Sequence, residues 1–316
     1  MGRATATETT TGGVSASRHD APGYTAGTVP IATIAFDFDP LLRLGDGVVV
    51  RWQTVAVAAV LAGCLTLAGV LARRASLRPD DLLYIAVGAV PGAVIGGRLG
   101  QLLLVPQAFA GPLSLFDPSI GGLELGLGVV GGILTGAYVG KLLGGPVGRW
   151  ADTLALPLLV ALGAGKLALA LGGSGQGTPL DAAWATAYLG GGPWGSLAPE
   201  IPSHPAQLYE GIATLILALA LTVRWAGRGG GARDGRRLLI AVGAWAAVRA
   251  AVSVAWRDPA IVGPFPLGGV LAGAIVIGMA VGLVAAAWSR RRSRARGLRG
   301  EGDGPSWPDP ETRPQF

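Results

Sequence analysis

The run Ser203-His204-Pro205-Ala206-Gln207-Leu208-Tyr209-Glu210 is where polar and ionisable side chains lead straight into an apolar helix. An imidazole, an amide, a phenol and a carboxylate this close together could move a proton or hold a polar headgroup. Pro205 suits the first turn of a helix, because its missing N–H would be unpaired there anyway, and Ser203 or His204 can cap it. His204 thus stands at a helix mouth, with Gln207 and Glu210 on the following turns. Other ionisable residues lie in apolar surroundings: Arg98 in Gly96-Gly97-Arg98-Leu99-Gly100, Glu124, Lys166 in Gly163-Ala164-Gly165-Lys166, and Arg249. Near the centre of a bilayer each would cost on the order of 3 kcal/mol, so each needs a partner or a wet cavity. Arg98, Lys166 and Arg249 against Glu124 and Glu210 leave surplus positive charge, which an anionic lipid phosphate could neutralise. The same charges could instead form interhelical ion pairs, Arg98 with Glu210 and Arg249 with Glu124, and Lys166 could snorkel to an interface.

The elements that must position these groups are long apolar runs. Of 316 residues 51% are hydrophobic and 14% charged, with 53 glycines, which predicts an all-α, polytopic membrane protein with closely packed helices. About 20 apolar residues cross the hydrocarbon core, and seven runs qualify: Trp52–Ala72, Leu82–Val105, Leu123–Leu143, Ala151–Leu171, Leu208–Trp225, Leu238–Ala255 and Leu267–Trp288. Arginines and lysines cluster after the first, third, fifth and seventh runs and are sparse in the connections 106–120, 172–203 and 256–266. This alternation predicts an outer N-terminus and a cytoplasmic C-terminus. Trp184, Tyr188 and Trp194 then fall on the outer side, where their rings suit the headgroup layer.

Residues 1–44 are expected to be a disordered or interfacial extension, 45–290 a seven-helix domain, and 291–316 a basic, then disordered, cytoplasmic tail. The net charge of +6 is spread over connections and tail, a pattern that points to anionic lipid headgroups and the bilayer, with no nucleic acid as partner. A single cysteine, Cys64, and two histidines supply neither an internal disulfide nor a metal cluster. The absence of an internal repeat speaks against a transporter built from duplicated halves.

The motifs, in order, resemble those of the prolipoprotein diacylglyceryl transferase family. His204-Pro205-Ala206-Gln207-Leu208-Tyr209-Glu210 is similar to its HPSQLYE motif, and Gly96-Gly97-Arg98-Leu99-Gly100 to its GGRIG segment. Gly121-Gly122 through Gly131-Gly132, Gly163-Ala164-Gly165-Lys166, and Gly243-Ala244 to Arg249 resemble three further motifs. The resemblance covers roughly residues 45–290 and implies a multi-pass protein of the bacterial inner membrane. It implies transfer of the diacylglyceryl group from phosphatidylglycerol to the lipobox cysteine thiol of a prolipoprotein, with no cofactor and no metal. The substrates would be phosphatidylglycerol and a prolipoprotein signal peptide. By the resemblance Lys166 contacts the headgroup with Arg98 and Arg249 nearby, Gly177 holds the outer loop close, and His204 with Glu210 organises the helix entrance. Arg257 corresponds to a further family arginine. The chain departs from the family at Gly126, where the family carries a catalytic histidine, and at Leu169, Ser253 and Gln53. Glu124, two residues before Gly126, is the expected replacement base together with His204. The alternative is a catalytically impaired member that binds lipid or lipoprotein signal peptide.

Overall fold

The computed structural model describes residues 33–300 apart from 46, 110, 118–119 and 227–233. Its helices are α1 (Trp52–Arg74), α2 (Pro79–Leu104), α3 (Leu125–Leu142), α4 (Val147–Leu169), α5 (Ala206–Ala226), α6 (Arg236–Val252) and α7 (Leu267–Gly300). All seven are long and apolar enough to cross a membrane. Local chemistry sets several of their ends. Pro79 starts α2, with Asp80 and Asp81 complementing the positive end of its dipole, and Arg73 and Arg74 close α1 at the negative end. Helix α7 continues past the expected boundary at 290 to Gly300.

Two packing modes hold the helices. The first is an apolar core in which Ala155, Leu159 and Leu162 of α4 meet Ala218 and Leu221 of α5, the fully buried Trp245 of α6, and Ile275 of α7. The second is a glycine seam between α2 and α3. A Cβ placed on Gly96 would collide with the carbonyl of Leu127, and one on Gly92 or Gly131 with the carbonyl of the other. Only glycine lets the two backbones approach this closely. The outward faces stay apolar, with Leu83 and Val87 of α2, Ile216 and Leu219 of α5, and Ile277 and Val281 of α7 exposed. Such faces suit acyl chains rather than water.

Short strands decorate the end of the bundle where α1, α3, α5 and α7 begin. They are β1 (Ile34–Phe36), β2 (Leu41–Leu44), β3 (Val48–Arg51), β4 (Thr186–Tyr188), β5 (Ala260–Val262) and β6 (Phe265–Pro266). β1 pairs in parallel with β4, Ile34 opposite Thr186, while β2–β3 and β5–β6 are hairpins. Residues 33–44 therefore differ from the expected disordered or interfacial extension: they form strands, because β4 offers β1 a backbone ladder and an aromatic surface. Phe36 stacks on Tyr188 at 4.9 Å and Phe38 meets Trp194 edge-on at 5.2 Å. The same contacts correct the headgroup placement of two aromatics. Tyr188 is buried and Trp194 packs within the cluster, and only Trp184 remains exposed. Residues 1–32 and 301–316, which carry the rest of the expected extension and tail, lie outside the described residues.

Replacing Gly96 by valine is expected to force α3 away from α2 and lower the thermal stability of the detergent-solubilised protein. Overpacking of this kind costs about 1–3 kcal/mol, and a backbone collision lies at the upper end. A melting temperature equal to wild type would contradict the seam.

Candidate functional site

Four ionisable residues converge at the strand-bearing end of the bundle, each from a helix terminus. Glu124 is the N-cap of α3, and its carboxylate accepts the N–H groups of Gly126 at 2.7 Å and Leu127 at 2.6 Å. Lys166 lies in the last turn of α4, Glu210 near the start of α5, and Arg249 in the last turn of α6. Lys166 Nζ is 2.8 Å from Glu210 Oε2. Arg249 bridges the two carboxylates, with Nη1 at 3.1 and 3.3 Å from the Glu210 oxygens and Nη2 at 3.1 Å from Glu124 Oε1. Of the expected ion pairs Arg249–Glu124 forms and Arg98–Glu210 does not.

Arg98 is therefore corrected. Its guanidinium donates to the main-chain carbonyls of Ile120 and, at 3.0 Å, of Asp117, tying down the segment that leads into α3. Gly97 and Gly100 turn toward Leu123 and Glu124, while the Arg98 side chain reaches Asp117 and Ile120. Without it the cluster holds two cations and two anions, so the expected surplus of positive charge within it is absent. Both Glu124 oxygens accept hydrogen bonds, from two main-chain N–H groups and a guanidinium, so the side chain caps α3 and pairs with Arg249.

Accessibility separates the four. The side chains of Glu210 and Glu124 are 1% exposed and that of Arg249 7%, whereas Lys166 is 16% exposed. Lys166 is thus the cluster's outward-reaching cation, and an ammonium with three donors and one carboxylate partner can grip an additional acceptor. Arg249 Nε and Trp245 Nε1 are buried donors, Gln207 Oε1 a buried acceptor and Thr214 Oγ1 a buried hydroxyl, for which the described residues supply no partner. Trp256 covers the Arg249 guanidinium at 4.6 Å and Trp245 lies at 6.0 Å. Trp245 precedes Arg249 by one helical turn, a spacing that places them on one face.

A second group of residues ties together the loops at the strand-bearing end. Gly177 donates to the His204 carbonyl at 2.7 Å, and a Cβ there would strike the Ala255 carbonyl. Arg257 Nε donates to the Gly177 carbonyl at 2.6 Å, and its other nitrogens reach Ser196 Oγ at 3.0 Å and Ser203 Oγ at 2.9 Å. Burial pulls this guanidinium below its usual pKa, with Glu200 opposing, yet arginine stays charged at neutral pH. Arg257 is thereby committed to the loops. Gln207 donates to the Tyr188 hydroxyl at 3.0 Å, and burial pushes that phenol up to about 12, with the Gln207 bond opposing. Tyr188 therefore remains protonated in the physiological range. The half-buried His204 has Nδ1 at 3.4 Å from the Tyr209 hydroxyl, a long contact that leaves the ring adjustable.

Gly126 is enclosed. A Cβ there would sit 2.9 Å from Ile275 Cδ1 and 3.1 Å from Glu124 Oε1. Ser253 bonds the Ala250 carbonyl at 2.7 Å, and Gln53 accepts from Ser174 Oγ at 3.1 Å.

Seven helices long and apolar enough to cross a membrane, with a buried quartet of charges and one lysine at its lip, define a polytopic membrane protein. A family model described as prolipoprotein diacylglyceryl transferase matches residues 40–287. A relative named phosphatidylglycerol–prolipoprotein diacylglyceryl transferase from Geobacter sulfurreducens is 35% identical over 144 residues, 44% of this chain and 52% of that protein. Relatives of the same name from Gluconobacter oxydans and Methylocella silvestris are each 31% identical, covering 61% and 59% of this chain and 70% of their own lengths. The matched stretch spans about half the length of the Geobacter relative. The chain belongs to the prolipoprotein diacylglyceryl transferase family.

Glu210→Gln is expected to destabilise the folded protein by about 3–5 kcal/mol, because it strips a counter-charge from two buried cations at once. Adding Lys166→Met to that variant should recover part of the loss. Strictly additive losses in a double-mutant cycle of unfolding midpoints would show that the two side chains are not coupled.

Proposed function

We propose that this chain, a multi-pass protein of the bacterial inner membrane with its N-terminus outside, transfers the diacylglyceryl group of phosphatidylglycerol to the lipobox cysteine thiol of a prolipoprotein. The observation that carries this reading is Lys166, which reaches the lip of the charge cluster with Glu210 as its ion-pair partner. In the reaction the thiolate sulfur attacks the glyceryl carbon, the new C–S bond forms as the C–O bond to phosphate breaks, and glycerol-1-phosphate leaves. The departing phosphate gains charge as it separates, and Lys166 donates to it most strongly at that moment. Glu210, itself held by Arg249, holds the ammonium in place. The unpartnered Arg249 Nε and Trp245 Nε1 suit phosphate oxygens, and the unpartnered Gln207 and Thr214 oxygens suit headgroup hydroxyls. His204, at the entrance of α5 and held only by the long Tyr209 contact, is the residue placed to take the thiol proton.

The enclosure of Gly126 favours a second reading. The position that corresponds to the family's catalytic histidine is flanked by the Glu124 carboxylate and by Ile275, and both side chains would have to shift to admit an imidazole. Under this reading the chain binds phosphatidylglycerol or a lipoprotein signal peptide without turnover.

A transfer assay with phosphatidylglycerol and a lipobox peptide in reconstituted membranes separates the two. Lys166→Ala is expected to lower turnover by about 100-fold, the range for loss of one preorganised stabiliser of transition-state charge. His204→Gln should lower it by about 100-fold as well, with lipid binding retained. A wild-type protein that binds the lipid but gives no product supports the second reading, and activity unaffected by Lys166→Ala overturns the first.

A further inference from the structure

A cavity of about 300 Å³ opens at the other end of the bundle, where α1 and α5 end and α4 and α6 begin. Its lining includes Arg74, Asp152, Thr153, Thr222, Trp225 and Arg237. Asp152 and Lys166 share α4 but lie about 21 Å apart along it, at 1.5 Å of rise per residue. The cavity is thus separate from the charge cluster, and its size falls at the lower end of small-ligand pockets, roughly 300–1,000 Å³.

The side chains in it divide into donors and acceptors. Arg237 stacks over Trp225 at 5.3 Å, and neither it nor Arg74 forms a side-chain hydrogen bond or ion pair with another described residue. The Asp152 carboxylate accepts the Arg237 main-chain N–H at 2.7 Å. The hydroxyls of Thr153 and Thr222 donate within their own helices, to Arg149 and Ala218, so toward the cavity they can only accept. Two guanidiniums against one carboxylate leave one positive charge in excess. A matching ligand carries one negative charge, offers oxygens to both arginines, and brings hydroxyl donors for the acceptors. Leu71 and Leu156 also line the cavity, so an acyl chain could leave it along apolar surface. Arg73, Arg78, Arg149, Arg224 and Arg236 lie on the same end of the bundle, a setting that concentrates anionic lipid.

We propose that this cavity binds the headgroup of an anionic glycerophospholipid with free hydroxyls, drawn from the leaflet at the basic end of the bundle. The phosphodiester sits between Arg74 and Arg237, and the hydroxyls donate to Thr153, Thr222 or Asp152. This site does not depend on the transfer chemistry proposed for the opposite end.

The full chain, with a benzophenone amino acid replacing Ala226 at the cavity wall, is placed in phosphatidylcholine nanodiscs containing labelled phosphatidylglycerol and irradiated. Label is expected at position 226, and unlabelled phosphatidylglycerol should compete about ten-fold better than phosphatidylcholine, which carries no net charge and no hydroxyl. Arg74→Gln and Arg237→Gln should each cut the yield about five-fold, the value of one basic residue near anionic lipid. Arg74 is exposed and bonds no described neighbour through its side chain, so its variant tests binding without disturbing the fold. Equal competition by phosphatidylcholine, or a yield unchanged in both arginine variants, would identify ordinary boundary lipid and overturn the proposal. Displacement of the label by inorganic phosphate alone would overturn the lipid source in favour of a soluble phosphate. Because labelling is read without turnover, an inactive protein that still labels in an arginine-dependent way leaves this proposal standing while the transferase reading fails.

Discussion

The bundle depends on four charges placed where the helix dipoles favour them. Glu124 and Glu210 stand at the starts of α3 and α5, where main-chain N–H groups point outward, and Lys166 and Arg249 stand at the ends of α4 and α6, where carbonyls do. Each helix end would stabilise its own residue modestly. Brought together in a medium of low dielectric, the four neutralise one another, and removal of any one leaves a charge stranded. Because the helices run antiparallel, only alternate ends can supply the required sign. The quartet thereby also records which helix termini meet, a specificity that apolar packing does not provide.

The glycine seam between α2 and α3 serves the quartet indirectly. Glu124 reaches Arg249 only because the start of α3 lies flush against α2: the Glu124 N–H donates to the Gly97 carbonyl at 2.9 Å, and a Cβ on Gly100 would press into the Glu124 side chain. Arg98, between those two glycines, reinforces the same junction by holding the carbonyls of Asp117 and Ile120. A cation that the sequence offers to a lipid phosphate donates here to two main-chain carbonyls ahead of a neighbouring helix. Both uses satisfy a guanidinium in an apolar setting, and spacing along one helix does not distinguish them.

Much of the architecture was legible because hydropathy reports on each helix separately: seven apolar runs became seven helices, with ends displaced by a few residues. The residues of the quartet were legible for a related reason, since charge in an apolar run always needs an account. What the sequence could not convey was partnership between helices. Arg249 can be matched on paper with either glutamate, and in the structure it takes both. The strand β1 was hidden because it has no partner nearby in the chain; its ladder is made by β4, some 150 residues later. The aromatic cluster of Phe36, Phe38, Tyr188 and Trp194 was hidden for the same cause, and rings that look interfacial in isolation turn out to pack on one another.

The cap at α3 bears most directly on reactivity. Glu124 bends back over its own helix start, and its carboxylate lies against the space above Gly126 while Ile275 closes the other side. A side chain at 126 would therefore require the Glu124 carboxylate and the Ile275 terminal methyl to shift. The chain has the carboxylate, which completes the charge balance of Arg249 but is tied to two N–H groups and a guanidinium. On the strand-bearing end the His204 backbone is fixed by Gly177 and Thr178, while its ring stands edge-on to Tyr209 with Nδ1 3.4 Å from the hydroxyl. Lys166 lies on α4 and His204 just ahead of α5, and the Lys166–Glu210 ion pair ties the end of α4 to the start of α5.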